Sequence, residues 1–147
     1  MKKIGILGST GSIGTQALDV IRNKQTDFSV VAISGYKNLK LLIEQAIFFK
    51  PKYIYINDKS DAEIINSKLK KNYSPKIFYN YSGLLEISSI DECDIFLNGL
   101  VGTIGLFPSI NIIKSGTTLA LANKESLVMS GQFLSELAKK NNVKILP

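Results

Sequence analysis

The stretch Ile4-Gly5-Ile6-Leu7-Gly8-Ser9-Thr10-Gly11-Ser12-Ile13-Gly14 stands near the start of the chain and decides how the rest is read. Residues 3–8 form a short apolar run closing on glycine. From Ile13 onward Ala17, Leu18 and Ile21 recur at helical spacing, which predicts a strand, a tight turn and a helix over residues 13–23. Working outward, the unbroken Val30-Val31-Ala32-Ile33 suits a strand over 28–34 covered on both faces, as in parallel sheets. The alternation continues with helix 39–50, strand 53–56, helix 61–71 behind a cap at Asp58 or Ser60, and a weaker strand 76–79. Buried strand 93–97, helix 105–114, strand 117–122, helix 124–140 and strand 143–146 complete it. Strict alternation predicts a doubly wound, mostly parallel α/β sheet with helices on both faces.

At 147 residues the chain fits one domain and leaves no room for a second. Its 45% apolar and 20% charged residues match a globular protein rather than a disordered one. A single cysteine, Cys93, and no histidine exclude an internal disulfide, a thiolate zinc cage and the commonest general base. Cys93 precedes the apolar Ile95-Phe96-Leu97 and reads as a buried structural thiol, since no histidine is present to activate it. The net charge of +6 comes mainly from scattered lysines, which suits a solvated surface and an anionic small ligand better than nucleic acid. The strand pattern begins at Ile4, ahead of which no signal core fits, and no window approaches the roughly 20 apolar residues that span a bilayer. The expected setting is therefore cytoplasmic and reducing, with no membrane segment.

In a doubly wound sheet ligands collect outside the carboxyl ends of the strands, so the loops after strands carry the chemistry. Gly8-Ser9-Thr10-Gly11-Ser12-Ile13-Gly14 has the spacing G-x-x-G-x-x-G between strand and helix, where backbone amides and the helix dipole receive a pyrophosphate. Gly8 lets the chain turn, Gly11 lets phosphate approach, Gly14 lets helix and strand pack closely, and Thr10 and Ser12 add hydroxyl donors; a purely structural turn is the alternative. The acid expected about 20 residues further on in an NAD site is missing. Ser34-Gly35-Tyr36-Lys37-Asn38 instead offers a lysine and neutral polar groups, which favours NADP, unless Lys37 is only solvated beside a helix cap at Asn38. Gly99-Leu100-Val101-Gly102-Thr103-Ile104-Gly105 repeats the first glycine spacing and either borders the nicotinamide-ribose side or packs loop on helix. Asn123-Lys124-Glu125 follows a strand and is the substrate-facing candidate; its plainer reading is a helix start with Asn123 as cap and Glu125 on the dipole.

Two of these segments, Leu7-Gly8-Ser9-Thr10-Gly11-Ser12-Ile13-Gly14 and Leu121-Ala122-Asn123-Lys124-Glu125-Ser126-Leu127-Val128, resemble hallmarks of the 1-deoxy-D-xylulose 5-phosphate reductoisomerase family. The resemblance runs over the whole chain. It implies a Rossmann-like NADPH-binding domain over residues 1–147, from an enzyme of the non-mevalonate isoprenoid route. That enzyme rearranges a phosphorylated ketose and reduces the resulting aldehyde with NADPH, giving 2-C-methyl-D-erythritol 4-phosphate. By the resemblance, Thr10, Gly11, Ser12 and Ile13 bind cofactor phosphates, Gly35, Lys37 and Asn38 lie near the adenosine end, Asn123 and Glu125 touch NADPH, and Lys124 reaches the substrate. It also implies a homodimer and a divalent metal, Mg2+ or Mn2+, whose ligands are expected beyond Pro147 with the catalytic and C-terminal domains. The fragment is then expected to be inactive alone. Tyr36 departs from the family pattern, in which many members carry a small residue before the basic one; its ring either stacks on adenine or covers the loop. The competing readings are another NADP-dependent aldehyde or semialdehyde dehydrogenase, and a non-catalytic nucleotide-binding module.

Overall fold

A computed structural model of the protein describes residues 1–122 and 124–147. Strands β1 (Lys2–Leu7), β2 (Phe28–Ser34), β3 (Tyr53–Tyr55), β4 (Lys76–Phe78), β5 (Ile95–Asn98), β6 (Thr118–Leu121) and β7 (Ile145–Leu146) form one sheet in the order β4-β3-β2-β1-β5-β6-β7. Every neighbouring pair is parallel. Helices α1 (Ser12–Arg22), α2 (Leu39–Phe49), α3 (Lys59–Leu69), α4 (Asn80–Ile87), α5 (Leu106–Lys114) and α6 (Lys124–Lys140) fill the connections.

The order explains the layers. Parallel crossovers are right-handed, so the steps β1 to β4, which move one way across the sheet, put α1–α3 on one face. From β4 the chain returns past β1 and moves the other way, which puts α4–α6 on the opposite face. The two buried clusters match this division. Leu18, Ile21, Leu42, Ala46, Ile65 and Leu69 of α1–α3 pack on Ile4, Ile6, Ile33 and Ile54. Leu84, Ile87, Ile112, Ile113, Leu134 and Ala138 of α4–α6 pack on Leu7, Tyr55, Phe96 and Leu119. The reversal falls between β1 and β5, which makes the gap beyond their carboxyl ends the ligand crevice of this topology.

Two local features set the sheet geometry. The β1–β2 register shifts between Ile4 and Gly5: Ile4 pairs with Val30 and Gly5 with Ala32, leaving Val31 as an extra residue. Val31 and Ala32 therefore both turn to the α4–α6 face, and Ile33 returns to the α1–α3 face. Gly5 lies beside Phe96 in β5, and a Cβ at Gly5 would stand 2.6 Å from the Phe96 ring.

The structure differs from the sequence reading in a few places. Helix α4 occupies residues 80–87, where no element is expected, and Cys93 lies outside β5, which begins at Ile95. Gly83 supplies the reason that α4 escapes notice. It weakens helical propensity, yet a Cβ there would lie 3.1 Å from Cβ of Phe78, so glycine eases the close packing of α4 on β4. Helix α6 is interrupted at Ser130, whose backbone (φ −146°, ψ 20°) is not helical. No described helix is long and apolar enough to cross a membrane.

Gly5→Ala should lower stability by about 1–3 kcal/mol, because the Phe96 ring must leave its rotamer. The double variant Gly5→Ala/Phe96→Leu should recover part of that loss, as measured by urea unfolding; strict additivity of the two single effects would refute the contact.

Candidate functional site

The loop after β1 is built from backbone geometry. Gly8 has φ +79°, a torsion that side chains rarely adopt, and the Gly11 N–H donates to the Gly8 carbonyl at 3.1 Å to close the turn. A Cβ at Gly14 would lie 2.2 Å from the Gly8 oxygen, so the first turn of α1 rests directly on the loop. Ser9 is fully buried and anchors the loop to the body of the domain. Its N–H donates to the Ser34 carbonyl (2.8 Å), its hydroxyl donates to Gln45 Oε1 (2.7 Å), and Gln45 Nε2 donates back to the Ser9 carbonyl (2.8 Å). The Ser34 hydroxyl in turn accepts from the Gly8 N–H at 2.8 Å.

With the loop held in this way, α1 starts at Ser12 with Gly11 as its N-cap. No side chain caps it, and its first turn carries no acidic residue. The first intrahelical donor in the ladder is Thr15, bonded to the Gly11 carbonyl, so the Ser12, Ile13 and Gly14 amides lie in the turn whose N–H groups have no helical partner. This is the geometry of an anion receptor: convergent N–H groups and the positive end of a dipole, with no neighbouring carboxylate in that turn.

A cavity of ≈ 350 Å3 opens next to this receptor at the carboxyl ends of the strands. Thr10, Gly11 and Gly35 line it, together with Tyr36, Tyr55 and Leu84 on one side and Leu100, Val101 and Ile104 on the other. The second wall is fixed by Asn98, fully buried at the end of β5. Its amide nitrogen donates to the Gly105 carbonyl and the Ser109 hydroxyl, each at 2.8 Å, and its oxygen accepts from the Leu100 N–H at 3.2 Å. A larger cleft of ≈ 410 Å3 lies beside Tyr53 and Lys76, the first residues of β3 and β4, at the opposite edge of the sheet from the ligand crevice.

The structure brings most of the sequence candidates to this one edge. Thr10, Gly11 and Gly35 line the cavity, while Ser12 and Ile13 head α1 beside it. Lys37 and Asn38 follow Tyr36 and are exposed; Lys37 Nζ stands 5.5 Å from the Tyr36 ring centroid, and Asn38 caps α2 by accepting from the Leu41 N–H at 3.3 Å. Lys124 and Glu125 begin α6, exposed, beyond the carboxyl end of β6, and do not line the cavity. Asn123 lies outside the described residues. The echo between the two glycine runs does not extend to torsions. In the first run the positive φ falls on its first glycine, Gly8, whereas in the second it falls on the middle one, Gly102 (φ +75°), followed by a 3-10 turn over Gly102–Gly105.

Tyr55 and Leu84 line the cavity and are not named in the sequence reading. Tyr55 ends β3, so the rule that ligands gather at strand carboxyl ends points to it; Leu84 sits on the unexpected α4 and carries no such signal. Burial, with lesser contributions from Tyr36 and Asp58, pushes the Tyr55 hydroxyl above the usual tyrosine range, so it stays neutral near neutral pH. Cys93 is buried, and desolvation pushes its thiol up to about 12.

A family model described as 1-deoxy-D-xylulose 5-phosphate reductoisomerase matches residues 4–131. The chain belongs to that family. A 1-deoxy-D-xylulose 5-phosphate reductoisomerase of Agathobacter rectalis is 46% identical over 147 residues, which is 100% of this chain and 38% of the relative. The chain thus spans well under half the length of this reductoisomerase. Among solved reductoisomerases, one in complex with NADPH, fosmidomycin and magnesium superimposes with a TM-score of 0.93 at 32% identity, covering 100% of this chain and 36% of that one. The reductoisomerase from Zymomonas mobilis in complex with NADPH gives a TM-score of 0.91 at 29% identity, covering 99% of this chain and 38% of that one. The doubly wound layout described above is therefore the one found in these reductoisomerases.

Two outcomes follow from the site geometry. Gln45→Ala should leave the buried Ser9 carbonyl without its donor and the Ser9 hydroxyl with only the Ser34 carbonyl, 3.1 Å away, and cost about 1–3 kcal/mol in urea unfolding; a change below about 0.5 kcal/mol would refute the anchoring role. Native Cys93 should resist alkylation at neutral pH and react only after unfolding, as followed by mass spectrometry of intact protein.

Proposed function

We propose that residues 1–147 are the NADPH-binding unit of a 1-deoxy-D-xylulose 5-phosphate reductoisomerase, which forms 2-C-methyl-D-erythritol 4-phosphate in the non-mevalonate route to isoprenoids. The observation that carries this reading is the uncapped N-terminus of α1 beside an apolar cavity at the switch point of the sheet, in a chain of this family. Family membership favours it over another NADP-dependent aldehyde or semialdehyde dehydrogenase, and over a non-catalytic nucleotide module.

NADPH, when bound, supplies the hydride that reduces the aldehyde. The Ser12, Ile13 and Gly14 amides and the Thr10 and Ser12 hydroxyls receive its diphosphate, as donors aimed at a dianion without a lysine. Gly11 has no Cβ to hinder that approach. Lys37 offers a point charge to the 2′-phosphate at the place where an NAD site holds an acid, with Gly35 and Asn38 beside the adenosine. By the family resemblance Asn123 and Glu125 touch NADPH, and the Lys124 ammonium holds the anionic substrate.

Among the described residues no group of three or more His, Cys, Asp or Glu side chains is placed to hold a metal ion. These residues do not fit the divalent Mg2+ or Mn2+ site that the family implies, which belongs in this reading to the catalytic portion of a longer chain. That complete enzyme would act as a homodimer in the cytoplasm.

Calorimetric titration tests the reading. NADPH should bind the 147-residue chain more tightly than NADH, and Lys37→Ala should weaken NADPH about tenfold while leaving NADH unchanged. Equal affinities, or none, would refute it. With ketose phosphate, NADPH and Mg2+ present, the chain alone should not consume NADPH; metal-dependent turnover would overturn the assignment of the metal site elsewhere.

A further inference from the structure

Tyr36 is the feature that the phosphate-binding reading leaves unused. It stands one residue beyond β2, past Gly35, its side chain is 54% exposed, and yet it lines the cavity. An aromatic ring left half in water beside a ligand cavity buries little on folding, so its contribution is reserved for whatever enters. Behind it the wall is also apolar and aromatic: Tyr55 is 5% exposed and Leu84 is 1% exposed. Gly35 precedes Tyr36 and is held by its N–H donating to the Tyr55 carbonyl at 2.9 Å, which ties the Tyr36 backbone to the end of β3. The cavity wall is therefore rigid where Tyr55 stands and accessible where Tyr36 stands.

We propose that Tyr36 forms the outer wall of the adenine slot, with its ring stacking on the base, while its neighbour Lys37 reads the 2′-phosphate. This inference rests on the NADPH-binding reading above. The geometry separates the two tasks. The slot beside Tyr36 joins the anion receptor through Thr10 and Gly11, which line the same cavity, so a flat base and a diphosphate of one ligand are accommodated together. Lys37 Nζ, 5.5 Å from the Tyr36 ring centroid, is held over an aromatic face before ligand arrives. Moving that ammonium to a phosphate exchanges a cation–π contact for a charge-assisted hydrogen bond, which is the stronger of the two. The base contact is blind to the 2′-phosphate, and the lysine contact depends on it.

The test is a titration of the wild-type chain and of Tyr36→Ala, Tyr36→Phe and Lys37→Ala with NADPH, NADH and reduced nicotinamide mononucleotide, which lacks the adenine. Tyr36→Ala should weaken NADPH and NADH alike, by about tenfold for one lost stacking contact, and leave the mononucleotide unchanged. Tyr36→Phe should restore both dinucleotides, because the ring and not the hydroxyl makes the contact. If Tyr36→Ala leaves both dinucleotides at wild-type affinity, the slot assignment fails while the NADPH-binding reading stands. If it weakens NADPH alone, Tyr36 acts only through Lys37 and the stacking role is refuted. If the wild-type chain binds neither dinucleotide, the underlying reading fails as well. Because the side chain is half exposed, circular dichroism of Tyr36→Ala should match wild type, which separates a binding defect from a folding defect.

Discussion

The contact between the first turn of α1 and the Gly8 carbonyl constrains the rest of the site. A hydrogen at Gly14 is the only substituent that fits there, since a Cβ would stand 2.2 Å from that oxygen. This approach brings the α1 amides to the edge of the sheet, and Ser9 then has to turn inward. Its hydroxyl and carbonyl are satisfied by Gln45 across 36 residues of sequence. The anion receptor is thus held by buried, neutral hydrogen bonds rather than by charge, and its loop is fixed before any ligand arrives.

The second constraint is topological. Because the winding direction reverses between β1 and β5, the loops after these strands diverge and leave a cavity between them. Each wall is stiffened by a buried polar residue at a strand end: Ser34 at the end of β2 and Asn98 at the end of β5. The two walls differ in character. On the β2 and β3 side they present the tyrosines Tyr36 and Tyr55, and on the β5 side they present Leu100, Val101 and Ile104, an asymmetry suited to a ligand with unlike ends.

Much of this was legible in the sequence. The change of period at Ile13, framed by Gly8, Gly11 and Gly14, located the loop, because a glycine-rich break between an apolar strand run and a helical period marks a tight turn. The missing acid and the presence of Lys37 pointed to the ligand class by charge alone. Helix α4 was not legible, because Gly83, which eases its close packing on β4, is the residue type that argues against a helix. Nor was the Ser9–Gln45 pair, which exists only once β1 and α2 are folded together. The repeated spacing at Gly99, Gly102 and Gly105 was legible as a pattern but not as a geometry, since identical spacing carries different torsions in the two runs.

The extra residue in β2 has an evolutionary corollary. Val31 shifts the phase of the strand by one, so that Ile33 meets α2 and Ser34 reaches Gly8. A lineage that lost a single codon here would turn the end of the strand over, driving Ile33 out of the α1–α3 core into the already filled α4–α6 core and removing the anchor of the loop after β1, although every loop residue remained intact. Point substitutions in this strand should therefore be far better tolerated across relatives than changes in its length.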